Sequence, residues 1–119
     1  MKFVDDLLGK IFRKNINIIY LDDLYLSEDL SEKKLEKLKK KIEQGKGSAA
    51  LLLKSENKND CIDIVTPFQL KSKVWEGRDA VCIGLAGSRD EAFELVQSII
   101  KDCIDKTGGT GLKEFICSL

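Results

Sequence analysis

The residues best equipped for chemistry in this chain are four cysteines and one glycine-flanked turn. Cys61, Cys82, Cys103 and Cys117 are separated by 21, 21 and 14 residues. No Cys-x-x-Cys pair occurs, so the spacings of zinc ribbons and thioredoxin-type centres are absent. The chain contains no histidine. That removes the commonest general base near neutral pH, the commonest metal ligand, and Ser-His-Asp or Cys-His catalysis. Cys82 is the best placed for a stabilised thiolate, two residues before Gly84 and near a helix start. Strand alternation points it instead into a sheet face. Cys103 falls near a helix C-terminus, where the dipole opposes a thiolate. The expectation is four reduced thiols acting mainly as small buried hydrophobes, rather than a disulfide framework or a four-thiolate metal site. No secretory signal precedes them, so a cytoplasmic protein is expected. No catalytic residue, metal or cofactor is expected.

The turn is Gly84-Leu85-Ala86-Gly87-Ser88, set between an apolar run and a helical pattern. Free N–H groups at such a place suit a phosphate or another anion. Gly84, Gly87, Ser88 and Arg89 are therefore the candidate ligand-binding residues, with Trp75 as a possible pocket wall. The pattern lacks both Gly-x-Gly-x-x-Gly and Gly-Lys-Ser/Thr, and Asp90 and Glu91 already place negative charge in the first helical turn. Paired carboxylates at Asp5-Asp6, Asp22-Asp23 and Asp90-Glu91 are adjacent in sequence, so each pair diverges rather than sharing a proton.

The elements that would carry these residues follow from periodicity. Ser88-Arg89-Asp90-Glu91 has the spacing of a capping box. Ala92, Leu95, Val96, Ile99, Ile100 and Cys103 recur every three or four residues after it. Phe93 and Ile104 widen that stripe to a breadth expected to cover a sheet. Gly108 supplies a left-handed C-terminal cap. Residues 27–44 read as a second long helix capped at Ser27 or Asp29. Its apolar stripe is narrow (Leu30, Leu35, Leu38, Ile42) and it ends near Gly45. Its lysine run, Lys33-Lys34, Lys37 and Lys39-Lys40-Lys41, is interleaved with Glu32, Glu36 and Glu43 and carries no aromatic residue. It reads as a solvated face rather than a phosphate-binding one. Strands are expected at residues 15–21, 48–54, 61–66 and 80–83, with a closing strand at 112–117. Residues 67–79 are an edge strand or a loop.

The order approximates β-α-β-β-α-β. It implies an α+β fold: a mainly antiparallel sheet with two long helices on one face, in the ferredoxin-like or split-βαβ order. Residues 15–119 then form a single domain behind an N-terminal amphipathic helix at residues 1–14. The apolar face of that helix comprises Phe3, Val4, Leu7, Leu8, Ile11 and Phe12. It is the candidate interaction face, because the open side of the sheet needs cover.

Lys+Arg and Asp+Glu are both 20, so the net charge is zero. The chain has no general attraction to nucleic acid and little repulsion between its own copies. Together these features point to a non-enzymatic module that self-associates or binds another protein, a homo-oligomer being the simplest case. The alternatives are a small-ligand or anion sensor using Gly84–Arg89, and a membrane-surface protein anchored by residues 1–12.

Overall fold

Among the described residues the first regular element is a long strand, β1 (Ile16–Leu26), at one edge of the sheet. The computed structural model describes residues 16–56, 60–72, 75, 77–109 and 111–119. The expected N-terminal helix, with Phe3, Leu7, Leu8, Ile11 and Phe12, lies outside the described residues. After β1 come helix α1 (Glu32–Glu43), strands β2 (Ala50–Lys54) and β3 (Ile62–Val65), and a 3-10 turn at Gln69–Lys71. Strand β4 (Arg78–Ala86) and helices α2 (Arg89–Thr107) and α3 (Leu112–Cys117) complete the chain.

The architecture is α+β around one four-stranded mixed sheet, in the order β1-β4-β2-β3. β1 runs parallel to β4, while β2 is antiparallel to both β4 and β3. The split-βαβ order is therefore not realised. The expected closing strand is helix α3 instead. Leu112, Phe115, Ile116 and Leu119 repeat at the helical three-and-four spacing, and Leu112, Phe115, Ile116 and Leu119 all join one core cluster. Gly108, Gly109 and Gly111 take left-handed backbone and reverse the chain between α2 and α3.

The two long helices lie on opposite faces of the sheet, not on one. Leu35, Leu38 and Ile42 of α1 pack with Leu51, Leu53, Ala80, Cys82 and Leu85. Leu95, Ile99 and Cys103 of α2 pack with Ala50, Leu52, Ile83 and Ala86, joined by Phe115 and Ile116 of α3. The uninterrupted apolar run of β2 accounts for this. Residues 50–53 are at most 1% exposed, so both faces of that strand need cover. The exposed sheet face expected to require residues 1–14 or a second subunit is filled by α1.

α1 begins five residues later than expected. Ser27 continues the β1 pairing, its N–H donating to Leu85 O at 3.2 Å. Ser31 is the N-cap and accepts from Lys34 N–H at 3.4 Å. β1 also extends five residues past its expected end. Between Tyr20 and Tyr25 it advances five residues while β4 advances only from Cys82 to Gly84, so Asp22 and Asp23 are carried on a bulge. Gly84 permits the close approach there. A Cβ at that position would lie 3.1 Å from Tyr25 O and 3.3 Å from Tyr25 Cβ. Tyr25 then ties the edge strand to α2, its hydroxyl donating to Asp102 Oδ2 at 2.6 Å.

Candidate functional site

Of the residues expected at an anion site, the structure brings Gly87, Ser88 and Arg89 together and leaves Gly84 inside β4. Ser88 is the N-cap of α2, accepting from Glu91 N–H at 3.3 Å. Its hydroxyl also faces the Glu91 carboxylate at 3.3 Å. Residues from distant segments complete the turn. Ser27 Oγ accepts from Gly87 N–H at 3.3 Å, and Ser48 Oγ donates to Gly87 O at 3.3 Å. Asp29 lies beside them: a Cβ on Gly87 would meet Asp29 Oδ2 at 3.3 Å and Glu91 Oε2 at 3.6 Å. Hydrogen bonding to the Glu91 side chain, and then to Ser27, holds the Asp29 carboxyl below the usual carboxylate range. An anion entering this turn meets two carboxylates, and the Gly87 and Glu91 N–H groups already have acceptors. Arg89 is exposed, with its guanidinium 5.8 Å from the Phe93 ring centre.

Trp75 cannot form the wall of that turn. It sits at the opposite end of β4, a strand of nine residues, or about 30 Å. It lines a cleft of about 360 Å³ with Lys54, Asp63, Arg78 and Asp79. Arg78 is engaged there by Glu56 at 2.7 Å and by the Trp75 face at 5.5 Å. Residues 67–72 of the expected edge strand or loop form a turn with the short 3-10 segment, and Phe68 is 74% exposed.

The cysteines are free. Cys82 and Cys103 are buried, Cys61 is half-buried and Cys117 is exposed. Burial pushes the Cys82 thiol up to about 12, against weaker stabilisation from neighbouring backbone groups and Lys39. Its Sγ donates to Gly84 O at 3.2 Å. Tyr20, beside it, is also pushed up, by burial first and then by Cys82 and Glu43. Among the described residues no cluster of three His, Cys, Asp or Glu side chains is arranged to hold a metal ion. No helix among them is long and apolar enough to cross a membrane.

Among the described residues, one exposed apolar row that the domain's packing does not account for lies on the outer side of α2. The broad stripe expected to cover the sheet divides in two. Ala92, Leu95, Ile99 and Cys103 are buried against the sheet. Phe93, Ile100 and Ile104 are 49%, 38% and 52% exposed. At 3.6 residues per turn these three fall within about 40° of one another and span about 16 Å. They lie on the flank opposite Asp102, the residue bonded to Tyr25 of β1, and so face away from the β1 edge. Periodicity identified every one of these residues but could not divide them, because the inner and outer rows are contiguous around the helix. Comparison with protein-family models, with curated proteins and with solved structures gave no match.

Proposed function

We propose that this chain is a non-enzymatic interaction module that associates with further copies of itself. The observation that supports this reading is the apolar row Phe93, Ile100 and Ile104 on the outer side of α2, which the domain's own core does not use. Solvent-exposed apolar rows at helical spacing suit a partner helix laid along them. Zero net charge leaves no long-range repulsion to oppose the encounter of two copies. The apolar face at residues 1–14 is a second contact of the same kind in this reading. Sedimentation equilibrium over a concentration series tests it, using the full chain and a variant lacking residues 1–14. The expected result is a mass rising from monomer toward dimer in both, with weaker association after the deletion. A monomer mass throughout for the full chain would contradict the reading.

A further inference from the structure

We infer that α2 pairs with α2 of a second copy in antiparallel orientation, with Phe93 opposite Ile104 and Gln97 opposite Ile100 across a two-fold axis. This deepens the self-association reading and rests on it.

The outer row has the spacing of a coiled-coil seam: Phe93 and Ile100 at d positions, Gln97 and Ile104 at a positions. In an antiparallel pair, a and d residues face each other and e residues meet e residues. The two e positions are Glu94 and Lys101, both exposed and opposite in sign. A two-fold midway between Phe93 and Ile104 brings Glu94 of each copy close to Lys101 of the other. The apolar row and the charges thus select nearly the same axis, although neither requires the other. On the other flank, the g positions within the row hold half-buried Val96 and buried Cys103, which add no charge to the contact, and the exposed g residue Arg89 lies beyond the row at the first position of α2. Asp105 takes a b position and faces solvent.

The parallel alternative places Arg89 against Glu94 of the second copy. In the structure Arg89 is already stacked near Phe93 of its own helix. Antiparallel packing also opposes the helix dipoles favourably. The partner that fits this surface is therefore a second copy of this chain.

The test is a charge reversal read by sedimentation equilibrium. Glu94 and Lys101 are exposed positions on a 19-residue helix, and circular dichroism and thermal melting serve as the control that each variant is folded. Glu94→Lys and Lys101→Glu are each expected to raise the dimer dissociation constant roughly tenfold at low salt, and the double variant to return it close to the wild-type value. A double variant no tighter than the singles, in a protein that still dimerises, would overturn this register and leave the self-association reading standing. Recovery by Arg89→Glu combined with Glu94→Lys would overturn it in favour of parallel pairing. A wild-type chain that never dimerises would remove the reading on which it rests.

Discussion

Tyr25 shows how a single side chain fastens the edge of this sheet. Its hydroxyl reaches Asp102 on α2 from a strand that has just bulged past Gly84. Burial, then the hydrogen bond and negative charge of Asp102, push the phenol up to about 12 from its ordinary value near 10. The raised value means that the folded state favours the protonated phenol. Its contribution is fully present below about pH 10 and is lost as pH rises from there through about 12. Urea denaturation at about pH 8 and about pH 11 should show the wild type losing more stability than Tyr25→Phe over that interval. At about pH 8 the variant should be less stable by no more than ~1 kcal/mol, since the pair is only partly buried. Equal losses in the two proteins would show that the bond contributes nothing. The tyrosine was visible in the sequence, but its partner, 77 residues away, was not. Long separations in sequence, 60 residues for Ser27 and 39 for Ser48, likewise hid the residues that meet with Asp29 at Gly87 only through strand pairing.

At the scale of elements, what was legible depended on whether local and tertiary signals agreed. Ser88 and Gly108 cap α2 as their spacing requires, because a cap is decided within one turn of the chain. β2 was recognisable as a buried strand because its apolar run is bounded by polar loops. Residues 112–117 read as a strand in sequence but form helix α3, because six residues carry too little periodicity to outweigh β-prone residue types. The placement of α1 and α2 on opposite faces followed from β2 being apolar on both sides, a signal carried by a different element. The division of α2 into inner and outer rows yields its own test. Ile99→Ala, at a fully buried site, should cost about 2–5 kcal/mol in denaturant unfolding. Ile104→Ala, 52% exposed, should cost the dilute protein less than ~0.5 kcal/mol. Comparable losses at both positions would mean that the outer row belongs to the core.

At the scale of the whole molecule, the mixed sheet is closed on both faces by its own helices. That removes the need for a second chain to cover the sheet and shifts the question of association to the helix surface. The α+β class was readable from the alternation of strand and helix patterns. The parallel pairing of β1 with β4 was not, because it joins the first and last strands and has no local signature. The apolar row on α2 lies outside this closed core, and zero net charge leaves it unopposed by long-range repulsion. The most direct measurement compares the solution mass of the wild-type chain with that of Phe93→Glu/Ile104→Glu by sedimentation equilibrium at matched concentrations. A concentration-dependent dimer for the wild type and a folded monomer for the variant is the outcome expected here. The same mass for both proteins at every concentration would contradict it.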